Sequence, residues 1–128
     1  MGEESIEERI VAEINGDSAR AYLFPTVYLA QGAYDVEKLV REATGAGVLN
    51  QLCYLAELTF NTAKKYGMDV PVSLLQRIFE RSPVQAALRP LVKGFPEGLI
   101  EETSLARKWN VLDDTKEEEI YEFLTVYV

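Results

Sequence analysis

Glu57 and Asn61 stand one helical turn apart in "GVLNQLCYLAELTFNTAKKY", residues 47–66, a stretch dominated by apolar side chains. At i, i+4 they share one face of a helix, and Asn50 lies two turns before Glu57. Turned inward, a carboxylate here would lose its water. Its pKa would rise and it would be fit for general acid or base work. Turned outward, the same pair is the narrow wet stripe of an otherwise packed helix, which is the commoner arrangement. Cys53 lies in the same stretch with no cation within one helical turn, a setting that predicts a buried structural cysteine rather than a reactive thiolate.

Most other catalytic vocabulary is missing. The chain has no histidine and a single cysteine. That removes the commonest zinc ligand, the usual general base, every Ser-His or Cys-His nucleophile pair and any internal disulfide. The acidic pairs Glu101-Glu102 and Asp113-Asp114 lack the alternating oxygen spacing of a calcium loop. Gly45 and Gly47 precede a helix, but no third glycine and no Lys-Ser/Thr follow, so they do not make a phosphate-binding loop. No catalytic, cofactor-binding or metal-ligating residue is assigned, and no cofactor is expected.

Charge is laid out in blocks. Residues 64–93 carry Lys64, Lys65, Arg77, Arg81, Arg89 and Lys93 against Asp69 and Glu80. Arg77 and Arg81 share a helix face at i, i+4, and Arg89 and Lys93 do the same on the next expected helix. These six cations form the expected interaction surface, suited to an anion, a nucleic acid or an acidic protein. Residues 1–17 hold six acidic groups and one basic, and residues 113–128 repeat those counts. Such complementary blocks favour neutralisation within the chain, or between two copies, over nucleic-acid binding.

The segment "TSLARKWNVLDDTKEEEIYEFL", residues 103–124, resembles a helix-turn-helix in its first half. Leu105, Ala106 and Val111 fall at fitting positions, and Asn110 occupies the turn, where it tolerates a left-handed conformation. The second helix sets Lys116 against Glu117, Glu118, Glu119 and Glu122, a charge that DNA phosphates would repel. The expectation is a capped two-helix corner packed by Trp109, Phe123 and Tyr127, its glutamates facing water or a basic partner.

The elements that must position these residues are helices punctuated by Gly and Pro. Helical periodicity covers Ser5–Ile14, closed by Asn15-Gly16. Around Pro25 a helix starts near Phe24 or is kinked, with a short strand at Arg20–Phe24 as the competing expectation. Asp35 caps Val36–Thr44, with Gly45 as its stop. Gly47–Tyr66 is the central helix, its apolar arc too broad for a single neighbour. A helix from Asp69-Pro71 to about Arg81 follows, then one over Val84–Val92 that Pro90 bends or truncates. A short helix runs from Thr103 or Ser104 to about Asn110. The last starts at the capping box Thr115–Glu118 and turns Ile120, Phe123, Leu124 and Tyr127 inward, and residues 125–128 finish it as helix or strand. The predicted fold is all-α, a compact orthogonal bundle of about six to eight short helices around the helix near 47–66.

With 128 residues, 48% of them apolar and 27% charged, the chain is expected to form one globular domain over 1–128 with acidic N- and C-terminal segments. No apolar run approaches the roughly 18 residues that span a bilayer. Residues 1–10 lack the basic and apolar regions of a signal peptide, so a cytoplasmic location is expected. The favoured function is protein–protein contact without catalysis, as a homodimer or an adaptor, with the many aromatic residues as anchors. The alternative is a regulatory or nucleic-acid-associated protein using the 64–93 cations. A carboxylate- or metal-dependent enzyme built on Glu57 comes third.

Overall fold

The longest helix starts where the apolar arc of the sequence starts, and the rest of the fold is arranged around it. The computed structural model describes residues 4–16, 23–81, 83, 89–90, 103–113 and 115–127. Among these the elements are α1 (Ile6–Ile14), α2 (Leu23–Gln31), α3 (Val36–Ala46), α4 (Leu49–Tyr66), α5 (Val72–Phe79), β1 (Arg89–Pro90), α6 (Ser104–Lys108), β2 (Val111–Leu112) and α7 (Glu117–Tyr127). Every residue from Asn50 to Ala56 is buried, so α4 is enclosed on all sides over two turns. It packs against each of the other six helices. One hydrophobic cluster runs from Ile10 through Leu52, Leu55 and Leu75 to Ile120 and Leu124. The fold is the expected all-α bundle.

Polar groups inside α4 are satisfied locally. Thr59 and Thr62, both buried, donate their hydroxyls to the carbonyls of Leu55 and Leu58 one turn back, at 2.7 and 2.8 Å. This removes the penalty of an unpaired hydroxyl in the core. Cys53 is fully buried, and its Sγ lies 3.4 Å from the carbonyl oxygen of Ile78 on α5.

The helix ends account for most departures from the sequence reading. Gly45 does not stop α3, which continues to Ala46 and closes at Gly47 with φ 73°. Only one of two nearby glycines can take the left-handed closing position, and Gly47 takes it because Val48 N–H can then bond to Ala43 O (2.9 Å). The competing strand at Arg20–Phe24 is displaced by α2 at its Leu23–Phe24 end, while residues 20–22 lie outside the described part. Pro25 sits in the first turn of α2, where a backbone N–H has no intrahelical partner to lose. Helix α5 ends at Phe79, two residues early, because Arg81 folds back over its end.

The helix expected over Val84–Val92 does not pass through Arg89-Pro90. These two residues pair in parallel with Val111-Leu112. A residue before proline avoids the helical region, and Pro90 cannot donate to a helix. Residues 84–88 and 91–92 lie outside the described part. Asn110 is left-handed, with φ 55°, as its position in the turn predicts. The chain then extends through β2 instead of entering a second helix directly. Eight residues separate Lys108 from Glu117, longer than the three- to four-residue turn of a helix-turn-helix. Thr115 does not cap α7: its buried hydroxyl donates to Asp113 Oδ1 at 3.0 Å. The competing strand at the end of the chain is overturned as well, since α7 stays helical through Tyr127.

Candidate functional site

Glu57 is neither free in solvent nor an isolated acid in the core. It sits at the edge of the core, its side chain 16% exposed, where α6 crosses α4. Its Oε1 accepts a hydrogen bond from Trp109 Nε1 (2.9 Å) and another from Lys108 Nζ (2.7 Å). Trp109 is fully buried, so the carboxylate satisfies an indole N–H that has no access to water. Three residues earlier on α4, Tyr54 donates its hydroxyl to Asp113 Oδ2 at 2.5 Å, and both residues are fully buried. Tyr54 and Glu57 thus hold the 103–115 segment to the central helix at two points. Asn61, half-buried one turn on from Glu57, takes no part. This is a structural latch, and its acid is already committed to two donors.

Other candidate groups are also used internally. Burial pushes the Cys53 thiol up to about 12, against the opposing pull of the Arg81 charge, so it stays protonated and inert. In the acidic N-terminal block, buried Glu7 accepts the Asp35 N–H at 2.8 Å and pairs with Lys38 at 3.7 Å. Burial alone would raise its pKa. The hydrogen bonds it accepts and the Lys38 charge outweigh burial and hold the carboxyl below its ordinary value. Among the described residues, no group of three or more His, Cys, Asp or Glu side chains is placed to hold a metal ion.

The six cations of 64–93 divide. Lys64 lies over the Phe60 ring (4.9 Å) and Lys65 over Tyr66 (5.5 Å), which stacks on Tyr121 of α7 at 4.2 Å. Arg77 and Arg81 lie at the other end of α5. With Val36, Glu37, Val40 and Glu80 they line a cleft of about 400 Å³ between α3 and α5. Since Ile78 O meets Cys53, the end of α5 lies beside α4 three turns before Lys64, roughly 16 Å along the axis. Arg81 donates from Nε to Ile78 O (2.6 Å) and from Nη2 to Arg77 O (2.9 Å), so much of its guanidinium is spent closing α5. Arg89 is described only in its backbone, in β1, and Lys93 lies outside the described residues.

One surface feature was not anticipated. Four large hydrophobic residues are exposed among those described: Phe24, Val72, Val126 and Tyr127. Three of them gather where the start of α2 meets the end of α7. Phe24 is 46%, Tyr127 48% and Val126 75% exposed. Phe24 packs edge-on to Phe123 at 5.8 Å and to Tyr127 at 5.7 Å, and Phe123 lies 4.7 Å from Tyr127. Tyr127 was expected to point inward. Ile120 and Leu124 fill the inward stripe of α7; Tyr127, in the same register one turn further on, is left exposed beside Phe24, while half-buried Phe123 and exposed Val126 lie toward one flank. Glu119 and Glu122 are exposed on that same flank, and Glu118 is exposed as well. The sequence carried no signal for this, because Phe123 and Tyr127 share the helical register of Ile120 and Leu124.

No protein family model matches the chain, and comparison with curated proteins and with solved structures found no match. Among the described residues, no helix is long and apolar enough to cross a membrane.

Proposed function

We propose that the protein acts through protein–protein contact, and that the Phe24–Phe123–Val126–Tyr127 surface is where contact is made. The observation that carries this reading is the packing of two of the four exposed large hydrophobic residues among those described, Phe24 and Tyr127, with half-buried Phe123 into one aromatic cluster, next in sequence to exposed Val126. Aromatic side chains are the commonest anchors of protein interfaces, because they bury much area while losing few rotamers. The alternatives have less to stand on. Glu57 is engaged by Trp109 and Lys108, which weakens an acid–base role. A nucleic-acid role would need the 64–93 cations to act together, and the four with described side chains lie in two separate places.

A photo-crosslinker placed at position 126, compared with one at exposed position 37, tests the reading in the cell of origin. The expected result is one discrete adduct from position 126 and none from 37. The adduct is a second copy if the protein is a homodimer, and a different chain if it is an adaptor. No adduct at 126, or the same products from both positions, refutes the reading.

A further inference from the structure

The reading of the aromatic patch as a contact surface leaves open what it contacts, and the charge beside it narrows the choice. We infer that the patch receives a basic amphipathic segment of a different protein, with apolar residues at helical spacing flanked by Lys or Arg. This inference rests on the contact reading and adds the chemistry of the partner.

Three observations carry it. First, the patch is bordered by carboxylates: Glu119 and Glu122 are exposed on the flank of α7 that bears Phe123 and Val126. Second, these glutamates make no ion pair within the described structure, whose pairs are Arg9–Glu4, Lys38–Glu7 and Lys108–Glu57. Their charge is available to a partner. Third, α2 contributes no charged residue of either sign, so of the two helices that form the patch only α7 carries charge. Apolar side chains with one-signed charge along the rim are the receiving half of helix-in-groove recognition, where the apolar stripe enters and the flanking charges set polarity and partner.

The same charge argues against a second copy at this surface. A two-fold contact would place the patch against itself and bring the two sets of glutamates together. Like charges facing each other across an interface oppose association and suppress wrong partners.

The test uses the full chain and three synthetic 14-residue helical peptides read by fluorescence anisotropy. One has a leucine stripe flanked by lysines, one has glutamates in place of the lysines, and one has the basic composition scrambled. Three protein variants accompany the wild type. V126S/Y127S removes apolar area at exposed positions, E119Q/E122Q removes rim charge, and E37Q/E42Q removes equal charge elsewhere. Circular dichroism melts confirm that each is folded. The inference expects saturable one-to-one binding of the basic amphipathic peptide. That binding falls at least tenfold in V126S/Y127S, severalfold in E119Q/E122Q, and is unchanged in E37Q/E42Q. The acidic and scrambled peptides bind at least tenfold more weakly.

Equal loss in E37Q/E42Q means attraction to net charge alone and overturns the inference, as does indifference to V126S/Y127S. Light scattering separates the two levels of the argument. If the wild type self-associates, V126S/Y127S is monomeric and no peptide binds, the contact reading stands and the basic partner is wrong. If the wild type is a monomer that binds no peptide, the basic partner is wrong, and the crosslink from position 126 decides the contact reading separately.

Discussion

Replacing Glu57 isolates what the latch on α4 contributes. In Glu57→Ala the indole N–H of Trp109, fully buried and bonded to Glu57 at 2.9 Å, loses its acceptor. An unsatisfied buried donor costs about 1–3 kcal/mol. Glu57 is itself 16% exposed, so water can enter the vacated space and pull the cost toward the lower half of that range. The Lys108 pair is half exposed on the lysine side and adds about 0–1 kcal/mol. The expected loss is therefore about 1–3 kcal/mol. Glu57→Gln keeps a carbonyl oxygen for the indole and loses only the charge, so about 0.5–1 kcal/mol is expected. Lys108→Ala should cost no more than Glu57→Gln. Urea unfolding followed by tryptophan fluorescence reads this at the site, because Trp109 is the only tryptophan in the chain. Two results would refute the reasoning: a Glu57→Ala midpoint indistinguishable from wild type, or a Glu57→Gln as damaging as Glu57→Ala.

Further expectations follow from the helix ends, the buried thiol and the buried glutamate. Gly45→Ala should stabilise by about 0.5 kcal/mol, since the position is helical with nothing within 4 Å of an added Cβ. Gly32→Ala should destabilise by at least about 1–2 kcal/mol, because φ is +77° and the new Cβ meets Pro71 Cγ at 2.8 Å; thermal melts of the two variants should move in opposite directions. Cys53 should resist a thiol-specific reagent at pH 8 and react at once in urea, and rapid labelling of the native protein would contradict its burial. Glu7 has its folded pKa below the ordinary 4.5, so its stabilisation is full above that value and is lost as pH falls through the folded value. The deficit of Glu7→Gln should be largest near neutrality and shrink as pH falls below the ordinary 4.5, and a deficit that grows on acidification would be evidence against the assignment.

What the sequence disclosed was local in origin. The breadth of the apolar arc over 47–66 marked α4 as central, and Asp35 does cap α3, accepting the Lys38 N–H at 3.2 Å. Gly45 was misjudged because two glycines two residues apart carry the same local signal, and the choice between them is made by the chain that follows. The site was harder to read, because its bonds join residues far apart in sequence. Glu57 meets Trp109 across 52 positions, Tyr54 meets Asp113 across 59, and Glu7 meets Asp35 across 28. Helical spacing alone cannot tell a carboxylate on a wet stripe from one that bonds a buried indole. The cations of 64–93 looked like one surface because they are close in sequence, but the reversal of direction between α4 and α5 separates them. The aromatic patch was hidden for a related reason: Phe123 and Tyr127 share the helical register of Ile120 and Leu124. Only the position of α2 shows that they meet Phe24.

Mapping amide chemical shifts of the isotope-labelled protein during titration with the basic amphipathic peptide tests the central claim most directly. The account predicts saturable shifts concentrated at Phe24, Phe123, Val126 and Tyr127, extending to Glu119 and Glu122, with the Arg77–Arg81 cleft and Lys64–Lys65 unmoved. Shifts centred on that cleft, or spread evenly over acidic residues without saturation, would contradict it.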